Sequence, residues 1–158
     1  MESKVKIVLF SGDLDKVMAA FTIADGASAK NLDVEIFFTF WGLSVLRKRR
    51  KTKGKTWREK FLNLLMPVGP SRLSPSRLNF GGAGRIMMRQ MIKAKEAFTP
   101  EKLVHLAMER QIKFFACEAS MKILHITREE LIDYEYLRIA NVDVLLDDLE
   151  HTALTLFI

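Results

Sequence analysis

Along this 158-residue chain, short apolar runs alternate with stripes of apolar residues at helical spacing. Lys4 to Phe10 is a run of β-branched and large apolar residues that stops at Ser11, Gly12 and Asp13, which combine turn chemistry with a helix N-cap. From Leu14 to Ala29 the residues Leu14, Val17, Met18, Phe21 and Ala24 keep a 3.6-residue spacing, with Asn31 as the stop, and predict a helix. Val34 to Phe40 predicts a second strand, apolar along one face and carrying Phe37 between Glu35 and Thr39 on the other, so largely buried. Strand, helix, strand in this order opens a parallel sheet.

The pattern breaks at Trp41 and Gly42. A short apolar turn, Leu43 to Leu46, leads into Arg47 to Lys60, which holds nine basic residues and reads as lying outside the core. Trp57 to Met66 is amphipathic at helical spacing, with Phe61, Leu64 and Leu65 opposing Arg58, Glu59 and Lys60. Residues 67 to 83 collect three prolines, three serines and three glycines and read as a loop. A helix resumes from Gly84 to Phe98 with Ile86, Met87, Met91 and Ile92 expected inward, and Thr99-Pro100 starts another through Gln111. Ile112 to Ala116 predicts a third buried strand, with Cys117 at its carboxyl end and a short helix from Glu118 through Leu124. Thr127 and Glu130 form a capping box for a helix to Tyr136, Val142 to Leu149 fits strand or helix, and Ala153 to Ile158 closes the chain as a strand. The order predicts an α/β sandwich with a mostly parallel sheet of four or five strands and helices on both faces. It forms one domain over 1–158, with a basic, partly amphipathic insertion at about 43–83.

With 49% hydrophobic and 28% charged residues, the composition is that of an ordinary globular domain. A net charge of +6 suggests an anionic partner, but the charge is unevenly spread. Residues 47 to 95 hold 15 basic residues against Glu59 alone, a local charge of +14, while the remainder carries 10 basic and 18 acidic residues, or −8. A basic segment is set into an acidic domain. Attachment of residues 47–66 to an anionic membrane surface or an acidic partner protein fits this pattern, as does a solvated, mobile insertion. Nucleic acid ranks below these, since no reading helix or aromatic platform accompanies the charge. The single cysteine excludes an intrachain disulfide, and the N-terminus lacks the long apolar region of a signal peptide, so a cytoplasmic location is expected. No stretch reaches the roughly 18 uninterrupted apolar residues of a membrane span.

In an open parallel sheet the ligand crevice lies outside the carboxyl ends of the strands. Three such ends can be named: Ser11, Gly12 and Asp13; Trp41 and Gly42; Cys117 and Glu118. A thiol at a helix N-terminus is biased toward thiolate by unpaired backbone N–H groups, which would make Cys117 nucleophilic, with Glu118 opposing this if its carboxylate lies close. The alternative is an inert core cysteine, since free cysteine is among the most buried residue types. His105, His125 and His151 are scattered without metal-ligand spacing, so no metal site is expected. Gly81-Gly82-Ala83-Gly84 lacks the Lys-Ser/Thr of a phosphate loop, follows no predicted strand, and reads as loop punctuation.

The opening strand with Ser11-Gly12-Asp13, the stretch Phe37-Phe38-Thr39-Phe40-Trp41-Gly42, the segment Phe114 to Met121 around Cys117, and the ending Leu156-Phe157-Ile158 together resemble the DsrE/DsrF-like sulfur-relay family. The closer likeness is to its branch with a longer insertion after the second strand. The resemblance spans nearly the whole chain and is most specific at Cys117. It implies a cysteine that accepts sulfane sulfur as a persulfide from a donor and passes it to an acceptor protein, without a cofactor, in a fold that forms homo- or hetero-oligomers, of which a homo-oligomer is expected here. Cys117 matches the family's cysteine, while Ser11, Trp41, Gly42 and Glu118 fall in matching segments; with Gly12 they are expected to line the pocket. The lone cysteine suits a carrier better than an oxidoreductase that must resolve its own disulfide. The competing reading is an adapter that docks through the basic insertion, with Cys117 merely structural.

Overall fold

The computed structural model describes residues 3–77, 82–94, 99–147 and 149–158. Strand β1 (Lys4–Leu9) is followed by helix α1 (Leu14–Ser28), strand β2 (Asp33–Phe38) and a 3-10 segment (Phe40–Leu46). The basic segment contributes α2 (Trp57–Leu65), and α3 (Ala83–Lys93) and α4 (Pro100–Glu109) return the chain to β3 (Lys113–Cys117). Then come α5 (Glu118–Ile123), β4 (Leu137–Ala140), the one-turn α6 (Asp143–Leu146) and β5 (Thr152–Phe157). The five strands form one sheet in the order β4-β3-β2-β1-β5, and every neighbouring pair is parallel.

Alternation along the strands builds two unequal layers. Val5, Ile7 and Leu9 of β1, Val34, Ile36 and Phe38 of β2, and Phe114 and Ala116 of β3 face α1 and α4 in the main core. Phe21, Phe38 and Phe114 meet there with ring centroids 5.2 to 6.2 Å apart, tying α1 to two strands through tilted and edge contacts. The opposite face carries a small cluster of Val8, Phe37 and Cys117, covered by Leu145 of α6. Lys6 is buried on that face because its ammonium donates to the carbonyls of Val144 at 3.0 Å, Leu145 at 3.1 Å and Asp147. A cation on the last carbonyls of α6 satisfies groups that so short a helix cannot pair itself.

Three expectations are corrected. The capping box of Thr127 and Glu130 is present but opens only a 3-10 turn (Arg128–Glu130), and the chain then extends into β4 beside β3. Pairing with an already buried strand outweighs the local start signal. Second, Ile86, Met87 and Met91 of α3 face solvent, and only Met88 and Ile92 pack against the core. Third, the basic run is neither wholly outside the core nor free. Arg47 is fully buried, and its guanidinium donates to Glu130 Oε2 at 2.8 Å and to the Asn63 side-chain oxygen. Lys55 reaches the other Glu130 oxygen at 2.8 Å, and Lys51 pairs with Glu129 at 2.7 Å. A buried arginine is tolerated only with such partners, so the run is pinned to an acidic strip at the other end of the chain.

Val142 to Leu149 resolves into α6, with Asp148 outside the described residues. Likewise α3 ends at Lys93, and residues 95–98 of the expected helix, with Gly81 of the glycine run, lie outside the described residues.

Candidate functional site

The carboxyl ends of β1, β2 and β3 lie side by side. Leu9 pairs with Phe38 and Phe38 with Ala116, so Phe10, Thr39 and Cys117 fall in the next row across the sheet. The Thr39 amide donates to the Leu9 carbonyl at 3.0 Å and continues this register past the end of β2. Cys117 ends β3 and is the N-cap of α5, with its side chain on the thinly covered face against Val8 and Phe37. It is 8% exposed.

Burial by itself would raise the pKa of the Cys117 thiol. Hydrogen bonding from the Ser120 hydroxyl and amide, the Thr39 hydroxyl and the Ala119 amide outweighs it and holds the thiol below its ordinary value. Ser120 stands three residues after Cys117, in the first turn of α5, and its hydroxyl is 2.7 Å from that of Thr39. The sulfur therefore sits in a small nest of donors, the environment that stabilises an anionic thiolate or persulfide. Neither Ser120 nor Thr39 stands out in the sequence as a site residue. The Cys-x-x-Ser spacing at a strand-to-helix junction is the signal for Ser120, whereas Thr39 depends on the register between β2 and β3.

The other expected pocket residues separate into two groups. Ser11, Gly12 and Trp41 line a cavity of 340 Å³ together with Phe10, Asp13 and Lys16, and Cys117 is not in its wall. Gly42 instead supports the turn: a Cβ there would lie 2.0 Å from the Leu9 carbonyl oxygen, and one at Gly12 would lie 2.7 Å from that of Trp41. Only glycine permits these backbone approaches. Between them Phe40 holds φ at +44°, a left-handed conformation that is costly for a bulky side chain. The Glu118 carboxylate lies 2.6 Å from Lys122, which together with Asn141 holds it below the usual carboxylate range. Its charge is balanced by that of Lys122.

Among the described residues no group of three His, Cys, Asp or Glu side chains is placed to hold a metal ion, and no helix is long and apolar enough to cross a membrane. A family model, the DsrE/DsrF/DrsH-like family, matches residues 1–157. The chain belongs to this family. The DsrE/DsrF/DrsH-like chain is 39% identical over 157 residues to the uncharacterized protein YrkE of Bacillus subtilis, covering 98% of this chain and 96% of that one. It is 28% identical over 136 residues to the sulfur carrier protein DsrE2 of Allochromatium vinosum, covering 84% of each. Among solved structures, the ychN protein from E. coli superposes over 100% of both chains with a TM-score of 0.53 at 11% identity, a likeness of fold. Membership of a sulfur-relay family agrees with the resemblance carried by the strand-end segments.

Proposed function

We propose that this protein is a sulfur carrier, a sulfurtransferase by persulfide relay, in which Cys117 accepts sulfane sulfur from a donor and passes it to a partner protein. The observation that carries the reading is the Cys117 thiol, whose donors on Ser120, Thr39 and Ala119 favour the anion in spite of burial. A structural cysteine in an apolar core has no use for such donors, and burial would raise its pKa instead. The similarity to a protein named a sulfur carrier supports the same chemistry. The thiolate attacks the outer sulfur of a donor persulfide, the donor leaves as a thiolate, and no net oxidation occurs. The test is a relay measurement. Protein loaded with labelled sulfur should lose one sulfur atom to an acceptor thiol protein, and Cys117→Ser should neither load nor pass it on. Loading of Cys117→Ser to the wild-type level contradicts the reading.

A second reading concerns the insertion. Trp57, Phe61, Leu64 and Leu65, at the i, i+4, i+7, i+8 spacing of a single helix face, are all more than half exposed on α2, within the basic segment. This pattern suits docking on an anionic surface, membrane or acidic partner, that fixes where sulfur is delivered. The thin face of the sheet, where Phe157 is 70% exposed, suits a homo-oligomeric contact.

A further inference from the structure

The cavity beside Phe10 and Trp41 does not include Cys117 in its wall. We propose that it binds the ammonium–carboxylate head group of a low-molecular-weight persulfide and so holds the sulfur donor for Cys117, an inference that rests on the sulfur-carrier reading. The cavity lies at the carboxyl end of β1, beside the point where strand order reverses between β2 and β5, the usual place for a ligand in an open parallel sheet. Its 340 Å³ is of the size that takes a small organic molecule.

The polar groups define the ligand. Asp13 and Lys16 stand 2.9 Å apart with side chains 37% and 41% exposed, so they present a carboxylate and an ammonium side by side. A zwitterion of amino-acid type is the complement of that pair, its carboxylate toward Lys16 and its ammonium toward Asp13. Phe10 and Trp41, each nearly half exposed, supply apolar walls for the ligand's stem. Ser44 in the lining is fully buried, and its hydroxyl has no hydrogen-bond partner among the described residues.

The register sets the length of the donor. Phe10 and Cys117 lie in one row with only Thr39 between them, and strands spaced about 4.8 Å apart put them roughly 10 Å from each other. In a γ-glutamylcysteine-type persulfide the head-group carbon and the outer sulfur are eight bonds apart, roughly 10 Å when extended, a reach that a single amino acid lacks. With the head group anchored, the Cys117 thiolate attacks the outer sulfur of R–S–SH. A sulfur–sulfur bond to Cys117 forms, that of the donor breaks, and RS⁻ leaves.

The experiment compares glutathione persulfide with inorganic polysulfide, following the gain of one sulfur atom on the full chain by mass spectrometry. Uptake from glutathione persulfide should saturate with concentration, and Lys16→Met should lower the ratio of the glutathione persulfide rate to the polysulfide rate about tenfold, the cost of one charge-assisted contact. Uptake that never saturates, or a ratio unchanged by Lys16→Met, overturns the proposal. S-methylglutathione, which keeps the head group but has no sulfur to transfer, separates the two claims by calorimetry. If Cys117 loads from neither donor, the sulfur-carrier reading fails. The head-group site then stands if S-methylglutathione binds the wild type more tightly than Lys16→Met, and falls if it does not bind.

Discussion

At Cys117 two effects act against each other on one atom. The desolvated thiol favours the neutral form, and the donors on Ser120, Thr39 and Ala119 favour the anion and win. Removing the strongest contributor should reverse part of that balance. Ser120→Ala is expected to move the pH midpoint of Cys117 alkylation upward and to slow alkylation at neutral pH, because less thiolate is present there; a stopped-flow pH profile reads both. An unchanged midpoint would mean that Ser120 does not tune the thiol. At Gly42 the effect is steric. Because a Cβ would lie 2.0 Å from the Leu9 carbonyl oxygen, Gly42→Ala should cost about 2–3 kcal/mol in denaturant unfolding through displacement of the strand end.

Among the elements, the segment after β2 is fastened by a charge cluster as well as by Leu46, Met66 and Leu73, which are buried in the main core. Glu130 is fully buried between Arg47 and Lys55, and although burial would raise its pKa, their hydrogen bonds hold it below the ordinary carboxylate value. A carboxylate with a lowered folded-state pKa contributes stability that is fully present above the unfolded value, about 4.3, and is lost as pH falls through the folded one. Glu130→Gln should therefore cost about 3 kcal/mol at neutral pH, leaving Arg47 buried and uncompensated, and should flatten the acid limb of the stability curve. The apolar face of α2 behaves differently. Leu64→Ser should change stability by less than about 0.5 kcal/mol, since the side chain already faces solvent, while weakening binding to anionic vesicles or an acidic partner in a flotation or pull-down assay. Helical periodicity in the sequence reveals that such a stripe exists on α2 and α3. It does not reveal what covers it, and for this reason Ile86, Met87 and Met91 read as core when they are exposed.

For the whole molecule, the parallel sheet was legible because β1, β2 and β3 are dense in β-branched and aromatic residues and the intervening stripes are helical. β4 was not. It is four residues long, includes the exposed Arg138, and follows a capping box that argues for helix, so only its pairing with β3 makes it a strand. The candidate site divides in the same way. Cys117 could be found from its position at a strand end, but its neighbours Thr39 and Ser120, and the separation of the cavity from the thiol, follow from register and packing across the sheet. Lys6 belongs with these, a lysine in a buried strand that becomes intelligible only when α6 places its carbonyls over it. The division of charge also acquires a structural meaning, because Lys48, Lys51 and Lys55 of the basic segment neutralise the acidic strip at residues 129–133.

The most direct measurement is the intact mass of the protein after incubation with polysulfide and removal of excess sulfur. The account predicts that the wild type gains one sulfur atom, that reduction with a thiol removes it, and that Cys117→Ser gains none. A wild type with unchanged mass, or a variant that gains the same sulfur, would contradict it.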